Sequence, residues 1–319
     1  METVDCNLCS SKAYKAIYSR PDRYYFKDEF FTVVECVNCG LGFVNPRPTY
    51  AEMSRYYPPS YYEYFDNNPD YHLHRYTAEA ELIQKEAIHN KKKLLLDIGC
   101  ANGDFPRYMK NLGWEVEGVE ISSNSKSISD FKIYNQEFTQ VPSSGQNYDV
   151  ITAWEVLEHT HDPMAYFKKA STLLKSGGLF IFSVTNFNSI SSKYLFMEDV
   201  PRHLYFFTNE TIKQYLAHAG LVLRTADYSD KIHDYRPYNW LRYYVYLFFK
   251  RRKLEWKDIP EYRLQYLERL GLSNNLISNL QYVVHHPFAS IDRLLMPIFE
   301  KYQIMSKSYG SATYIASKP

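Results

Sequence analysis

Short apolar segments alternate with polar, helix-like segments along the middle of the chain. The apolar segments have the length and the aliphatic and aromatic content of buried strands. They are the first half of 92–104, then 114–121, 148–154, 178–185, 221–228 and the C-terminal stretch SATYIASKP. This spacing leaves room for one helix between most successive strands.

Helix start and stop residues bracket the segments between these strands. The stretch 72–90 is rich in Ala, Glu, Leu and Lys, which favour helices. Three later helices are expected to start at Asp104, after the N-cap Asp162 and after the N-cap Thr208, and the first two have Pro106 and Pro163 in their first turns. Gly113, Gly177 and Gly220 are expected to stop these helices. Strands that alternate with capped helices predict an α/β fold, with a mostly parallel sheet covered on both faces.

The composition is that of an ordinary globular protein. Of 319 residues, 45% are hydrophobic and 23% charged, and the net charge of +1 gives no overall field that would recruit nucleic acid. The 31 tyrosines, clustered as in YYPPSYYEYF (56–65), suit packing surfaces. Because no signal segment and no apolar run long enough for a membrane span is found, we expect a cytoplasmic protein.

Four of the five cysteines form two C-x-x-C pairs near the N-terminus. The pairs are Cys6 with Cys9 and Cys36 with Cys39. Pairs of this kind bring four thiolates into the tetrahedron that zinc prefers, and Gly40 permits the tight turn after the second pair. Because cysteine fills all four positions, the pattern predicts a structural zinc site without catalytic activity.

A glycine-containing turn follows the first core strand. Asp97, Gly99 and Gly103 lie there, and Glu120 ends the next strand about 20 residues later, where an acid can hold two ribose hydroxyls. The turn lacks the last glycine of G-x-G-x-x-G and has Asp104 where a pyrophosphate would bind. The pattern therefore favours a nucleoside ligand without phosphates.

Five motifs in order resemble class I S-adenosylmethionine-dependent methyltransferases. They are LLDIGCANGDF, GVEIS, YDVITAWEVLEHTHDP, LLKSGGLFIFSVTN and PRHLYFFT. The N-terminal cysteine pattern, with GLGFVNPRP and YYP after it, resembles the zinc-ribbon branch of that family, which is associated with polysaccharide, sugar and natural-product biosynthesis. The resemblance implies a cofactor site formed by Asp97, Gly99, Cys100, Ala101, Gly103, Glu120, Glu137, Phe138, Trp154 and Glu155.

The resemblance also implies the domain plan. We expect a Rossmann-like seven-stranded methyltransferase sheet with an N-terminal zinc ribbon and a helical insertion before the last strand. The expected parts are a zinc ribbon (1–48), a Pro/Tyr-rich linker (49–74), the S-adenosylmethionine-binding core (75–230), a mostly helical insertion (231–306) and the final core strand (307–319).

The stretch AWEVLEHTHDP has three readings. If a helical turn begins at residue 155, Glu155, Glu158 and His159 share one face and, with His203, could bind Mg²⁺ or Mn²⁺. Ubiquinone-pathway O-methyltransferases and small-RNA 2′-O-methyltransferases resemble this segment. Alternatively His203 or His159 is a general base for a hydroxyl proton, or the segment is purely structural.

Hydroxyl methylation fits these residues best. Sugar C-methyltransferases of the zinc-ribbon branch have Tyr three residues before the histidine that corresponds to His203, and here that position is Val200. We therefore expect O-methylation of a sugar, nucleotide-sugar or glycan hydroxyl. A zinc-ribbon RNA methyltransferase, a natural-product methyltransferase and a non-catalytic nucleoside-binding protein are the alternatives, and the near-zero net charge argues against RNA.

The segment 236–253 joins aromatic bulk to the basic run 250–253. Such a segment can lie on an anionic membrane surface, for example at the inner membrane, cover the active site as a lid, or be a buried helix whose basic end faces water. The expected partners are thus a small-molecule or glycan acceptor and a membrane surface, while the sequence leaves the oligomeric state open.

Overall fold

The computed structural model describes most of the chain outside a long stretch before its last helix. The described residues are 1–22, 25–26, 28–58, 69–87, 93–121, 130–143, 148–195, 198–229, 232, 240–249, 251 and 287–319. The described strands are β1 (Tyr14–Pro21), β2 (Phe30–Cys36), β3 (Gly42–Val44), β4 (Leu94–Ile98), β5 (Glu115–Val119), β6 (Lys132–Tyr134), β7 (Tyr148–Trp154), β8 (Leu174–Thr185), β9 (Tyr205–Phe206), β10 (Val222–Asp227) and β11 (Ser311–Ser317).

The described α-helices lie between these strands or before the last one. They are α1 (Tyr50–Met53), α2 (Pro69–Glu86), α3 (Asp104–Asn111), α4 (Pro163–Leu173), α5 (Ile190–Lys193), α6 (Asn209–His218), α7 (Trp240–Phe249) and α8 (Pro287–Met305). None of the helices in the described part is both long enough and apolar enough to cross a bilayer.

Seven strands form the central sheet in the order β10-β11-β8-β7-β4-β5-β6. β6, β5, β4, β7 and β8 run parallel, and β11 is antiparallel to both of its neighbours. The predicted seven-stranded, mostly parallel sheet is therefore confirmed. The strand order reverses between β4 and β7, and ligands of open α/β sheets bind beyond the carboxyl ends of the strands at such a point.

Both faces of the sheet are buried. Alternate residues of its strands point to opposite sides, and each side packs against helices. Leu95 and Ile181 join an apolar cluster with residues of α2 and α3. Leu96 and Phe182 belong to the other cluster, which includes residues of α4 and α6. Burial on both sides explains why these strands are continuous apolar segments rather than alternating ones.

The capping predictions hold at the helix starts and fail at one helix end. The Asp162 side chain accepts the Ala165 amide hydrogen bond at the start of α4, and Thr208 caps α6 in the same way. Gly177 does not end α4, because the helix stops at Leu173 and the chain enters β8 directly. The helix expected at 72–90 is α2, which begins at Pro69 and ends at Glu86.

A second sheet joins the N-terminal residues to the core. Its order is β1-β2-β3-β9, so three N-terminal strands continue into a strand of the later chain. A bridge between Asn186 and Phe207 links this sheet to the end of β8. The part expected at 1–48 thus shares backbone hydrogen bonds with the core.

The linker and the insertion lie partly outside the described residues. In the linker, α1 and a 3₁₀ turn at Ser54–Tyr56 are described, whereas 59–68 are not. In the insertion, α7 and α8 contact each other, with the Trp240 and Phe299 rings stacked at 4.2 Å. The remainder of the insertion expected at 231–306, including 252–286, lies outside the described residues except for 232, 251 and 306.

Candidate active site and cysteine cluster

The turn after β4 has a backbone that only glycine adopts easily. Gly99 has φ +71°, and a Cβ at this position would lie 2.6 Å from Cγ2 of Val156. The Ala101 amide donates a 3.0 Å hydrogen bond to Oε2 of Glu120 at the tip of β5. The turn and the acid therefore lie side by side at the carboxyl edge, as expected for a nucleoside site.

Asp97 is the buried acid of this turn. Its side chain is 3% exposed, and its Oδ1 accepts a 2.6 Å hydrogen bond from the Thr152 hydroxyl on β7. Burial raises the pKa of Asp97 to about 7, although the hydrogen bond from Thr152 opposes the change. A nearby cationic ligand group would return the carboxyl to its charged form.

Four other expected cofactor residues lie around this edge. The Cys100 sulfur packs against β5 beside Gly118, and burial raises the pKa of its thiol. Trp154 ends β7, and Glu137 and buried Phe138 follow β6, where Oε2 of Glu137 accepts a 2.5 Å hydrogen bond from Tyr166. Their binding roles stay predictions, and the Cys100 side chain serves the packing of the loop.

Helix α2 adds two charged residues that the sequence patterns did not single out. Arg75 Nε lies 3.2 Å from Oε1 of fully buried Glu79, one helical turn later. Burial raises the pKa of the Glu79 carboxyl well above its ordinary value, the charge of Arg75 opposes this change, and the charges of Asp97 and Glu155 add to it. The i, i+4 spacing of Arg75 and Glu79 was visible in the sequence, but it is also common on exposed helices.

The helical turn expected to begin at residue 155 does not form there. Glu155 has φ +55°, and a 3₁₀ turn covers Leu157–His159. The amide of Glu155 is bound instead to the backbone oxygen and hydroxyl of Ser183 on β8. The spacing argument that placed Glu155 on one face with Glu158 and His159 is therefore wrong.

His203 is held by a carboxylate. Its Nδ1 lies 2.6 Å from Oε2 of Glu198, and that oxygen also accepts a 3.1 Å hydrogen bond from Thr185 at the end of β8. Burial lowers the pKa of His203, but the hydrogen bond and charge of Glu198 outweigh it and raise the pKa to about 9. Because a carboxylate only accepts, Nδ1 carries the proton and Nε2 is the site that gains or loses one.

His159 is kept neutral beside His203. The two rings meet edge to face at 4.6 Å. Burial and then the charge of His203 lower the pKa of His159 to about 3. Its Nδ1 lies 3.1 Å from the Arg202 carbonyl oxygen and 2.9 Å from the Tyr57 hydroxyl. The carbonyl requires a proton on Nδ1, so Nε2 of His159 holds a lone pair.

Glu158 is the most deeply buried acid of the stretch. Its side chain is fully buried, and neither carboxyl oxygen accepts a hydrogen bond from any described residue. Burial raises its pKa to about 8, against the opposing charge of His203. At neutral pH the Glu158 carboxyl is therefore mostly protonated, the form that suits an apolar environment.

The expected divalent-ion ligands do not form a cluster in the described structure. Among the described residues, the group whose ligand atoms come close enough to hold an ion consists of the four cysteines. Nδ1 of His159 and Nδ1 of His203 are each engaged as above. A Mg²⁺ or Mn²⁺ site at Glu155, Glu158, His159 and His203 stays a prediction that this geometry does not assemble.

The four cysteines converge as the sequence predicts. All four sulfurs lie within 4.8 Å of one another, with Cys6 and Cys39 at 3.5 Å and Cys9 and Cys36 at 3.6 Å. A zinc tetrahedron with Zn–S bonds of about 2.3 Å has S–S edges of about 3.8 Å, close to these distances. Gly40 has the left-handed backbone expected after the second pair.

The first cysteine knuckle is bound to the stretch AWEVLEHTHDP. The Nδ2 group of Asn7 donates to Oδ1 of Asp162 at 2.9 Å. Its Oδ1 accepts hydrogen bonds from the Met164 amide at 3.0 Å and the Tyr215 hydroxyl at 2.9 Å. Arg47 adds a 3.1 Å hydrogen bond to the His161 carbonyl. The cysteine unit therefore positions the segment that follows β7.

A buried ion cluster joins the N-terminal unit to the histidine segment. Arg202 is fully buried, and its guanidinium binds Asp22 at 2.8 Å and Asp199 at 2.6 Å. It also donates to the Tyr56 carbonyl at 3.0 Å. Since Arg202 directly precedes His203, these bonds fix the backbone from which the histidine projects.

Comparisons with known proteins agree with this geometry. Residues 71–226 match the family model described as a methyltransferase domain. A ubiquinone biosynthesis O-methyltransferase of Paraburkholderia phytofirmans is 32% identical over 118 residues, covering 34% of this chain and 50% of the relative. One of the same name from Acinetobacter baumannii is 34% identical over 116 residues, covering 33% and 48%. The chain thus spans about half the length of the curated relatives it matches.

Solved structures resemble the chain more distantly. An O-methyltransferase of a trans-AT polyketide multienzyme of Brevibacillus brevis, in complex with S-adenosyl-L-homocysteine, has a TM-score of 0.45 and 14% identity, covering 79% of this chain and 77% of that one. The family match agrees with the order of the central strands. Residues 71–226 have the sequence of a methyltransferase domain.

Proposed function

We propose that this protein transfers a methyl group from S-adenosylmethionine to a hydroxyl group of a small molecule. The observation that carries the proposal is the His203–Glu198 pair, anchored through Thr185 at the carboxyl end of β8. β8 pairs with β7, so the histidine lies next to the edge where the nucleoside site is expected. An oriented imidazole beside a donor site is the arrangement that a hydroxyl acceptor requires.

The residues at this edge fit the donor. Asp97 and Glu79 are buried acids, which suit the cationic methionine end, and Glu120 at the tip of β5 suits the ribose hydroxyls. Gly99 lets the backbone approach the ligand closely. When bound there, S-adenosylmethionine supplies a methyl group on a positively charged sulfur, which an oxygen nucleophile can attack.

His203 takes the proton of the acceptor hydroxyl in this proposal. The O–H bond breaks toward Nε2 of His203, while Nδ1–H stays bound to Glu198, which stabilises the imidazolium that forms. The oxygen then carries the electron pair that the methyl group requires. Neutral His159 lines the same space and offers a hydrogen-bond acceptor at Nε2.

We propose a sugar, nucleotide-sugar or glycan hydroxyl as the acceptor, on the resemblance of the N-terminal unit to the zinc-ribbon branch. The relatives named ubiquinone biosynthesis O-methyltransferase support oxygen as the atom that is methylated. A phenolic hydroxyl of a lipid-like acceptor is the second candidate, favoured by those names. We further propose that the cysteine cluster holds structural Zn²⁺, because its sulfur spacing fits the zinc tetrahedron.

We propose that the α7–α8 pair contacts an anionic membrane surface. Phe248 and Phe249 at the end of α7 are 77% and 73% exposed, and the basic run 250–253 follows directly. Leu294 and Ile298 on α8 are also highly exposed. Aromatic side chains next to basic residues suit the interface of acidic lipids. Replacing Phe248 and Phe249 by Ser should abolish sedimentation with phosphatidylglycerol vesicles, whereas equal sedimentation of both proteins would contradict the contact.

The test of function uses the purified protein, labelled S-adenosylmethionine and cell extract separated into nucleotide-sugar, glycolipid, quinone-lipid and RNA fractions. Label in the first two supports the sugar acceptor, and label in the quinone-lipid fraction supports the phenolic candidate. Label in RNA overturns the small-molecule proposal. The His203→Ala variant should lose turnover while still binding S-adenosylmethionine, and near-normal turnover would remove His203 from its role.

A further inference from the structure

Helix α2 carries a buried carboxyl group, that of Glu79, which makes no hydrogen bond within the described protein. Glu79 is fully buried, and neither of its oxygens accepts a hydrogen bond from a described residue. Arg75 Nε is 3.2 Å away, close enough for an ion pair but without hydrogen-bond geometry. A buried carboxyl without hydrogen bonds destabilises the folded protein, so its presence is better explained by a role in ligand binding.

The face of α2 that carries Glu79 packs against α3 and the central sheet. Tyr76, three residues earlier, packs against Phe105 at 5.9 Å, and Phe105 packs edge to face on Trp154 at the end of β7, also at 5.9 Å. Ile83, four residues later, joins the apolar cluster on the sheet. Residues three and four apart share a helix face, so Glu79 lies over the carboxyl ends of the central strands.

The charges around Glu79 are unbalanced. Asp97 and Glu155 are near enough to act on its carboxyl, and Glu120 acts on Asp97 in turn. Arg75 is the one cation among the residues that act on the Glu79 or Asp97 carboxyls. Burial raises the pKa of both Glu79 and Asp97, so these carboxyls carry their charges together only when a ligand supplies positive charge.

We propose that Glu79 binds the cationic methionine end of the donor and makes the site prefer S-adenosylmethionine to S-adenosylhomocysteine. The inference rests on the proposed use of S-adenosylmethionine. The donor carries an ammonium and a sulfonium, whereas the product keeps the ammonium and has a neutral thioether. A ligand with two positive charges favours the ionised form of these buried carboxyls more than a ligand with one, so the site binds the donor more tightly than the product.

The test measures dissociation constants by titration calorimetry for S-adenosylhomocysteine and for sinefungin, a non-reacting analogue with an amine in place of the sulfonium. In the Glu79→Gln variant, affinity for sinefungin should fall more than affinity for S-adenosylhomocysteine. Removing one buried charge should change the ratio of the two constants by on the order of tenfold. The matched control is Glu81→Gln, an exposed residue of the same helix, which should leave the ratio unchanged.

Replacing Arg75, the cation beside Glu79, provides a second variant with the opposite expected effect, and its result does not depend on the folding of Glu79→Gln. Arg75→Gln removes positive charge from the same group, so the preference for sinefungin over S-adenosylhomocysteine should increase. An unchanged ratio in both variants overturns the role of Glu79, as does an equal loss of affinity for both ligands. If the unmodified protein binds neither ligand, the proposed function itself fails, which is a distinct outcome.

Discussion

Replacing Glu198 by Gln should change the pH dependence of the reaction without removing the base. Glu198 accepts from Nδ1 of His203 at 2.6 Å in a buried position. Gln keeps the shape and can still accept a hydrogen bond, but it has no negative charge. The pKa of His203 should therefore fall from about 9 toward its ordinary value of 6.5, because burial lowers it and only the charges of Glu158 and Asp199 then oppose burial.

The size of the effect follows from these two values. A difference of about 2.5 in pKa corresponds to about 3 kcal/mol of preference for the imidazolium over the neutral ring. A base must be neutral before it accepts a proton, so kcat/KM of the unmodified enzyme should rise with pH up to about 9. In Glu198→Gln the midpoint should move down by about two pH units, and the alkaline plateau should drop on the order of tenfold because the base is weaker.

Stability supplies an independent measurement. The pKa of His203 is raised in the folded protein, so its contribution is fully present below pH 6.5 and is lost as the pH rises through 9. Burial of Asp97 and Glu158 also raises their pKa values, to about 7 and 8. The pH dependence of the free energy of unfolding of the original protein therefore contains contributions from all three groups. The difference between the original protein and Glu198→Gln removes the contribution of Asp97. It leaves the contribution of His203 and a smaller one from Glu158, whose pKa the charge of Glu198 also raises.

The assay is the initial rate of methyl transfer between pH 5.5 and 10, with urea unfolding at pH 6 and pH 9.5. Glu210→Gln, an exposed position on α6, serves as the matched control and should behave like the original protein. If Glu198→Gln lowers the rate equally at every pH, the carboxylate only supports the local structure. A midpoint that stays in place would refute the reasoning about His203.

The other predictions concern packing, the ion cluster and the metal. Gly99→Ala should cost about 2–4 kcal/mol in a thermal or urea unfolding assay, because the backbone is left-handed and the new methyl group has no space. Arg202→Met should destabilise by about 3–5 kcal/mol, since Asp22 and Asp199 lose their buried partner; an unchanged unfolding midpoint would contradict this. Cys36→Ser should reduce bound zinc, measured by mass spectrometry, from about one ion per chain to none.

The sheet could be predicted from local signals because each element carries its own. The buried strands are short apolar segments, and Asp162 and Thr208 mark helix starts through hydrogen bonds to amides three residues away. The predicted end of α4 was wrong. Gly177 has the residue type of a helix stop, but the helix ends at Leu173 and the strand β8 starts at Leu174. A glycine marks a change of direction, but which element it ends depends on the register of β8 with β7.

The electrostatics of the site could not be predicted in the same way. Glu198 stands five residues before His203, a separation with no helical or strand meaning, and the pair forms through the loop after α5. Tyr57 reaches His159 from 102 residues away. Glu79 reads as an ordinary helix acid until the packing of α2 on the sheet buries it completely. Such contacts depend on tertiary packing, so residue types indicated the chemistry while the pairing had to come from the fold.

These contacts change how metal removal must be interpreted. Loss of activity on chelation would ordinarily indicate a catalytic Mg²⁺ or Mn²⁺ at Glu158 and the two histidines. Here the first cysteine knuckle holds Asp162 and the amide of Met164 through Asn7, only a few residues after His159. If the cysteines hold zinc as proposed, removing it would therefore loosen the segment that follows β7 even if no ion ever bound to that segment. Only restoration separates the two cases: Zn²⁺ at one equivalent rescues the cysteine site, whereas a catalytic ion requires Mg²⁺ or Mn²⁺ in addition.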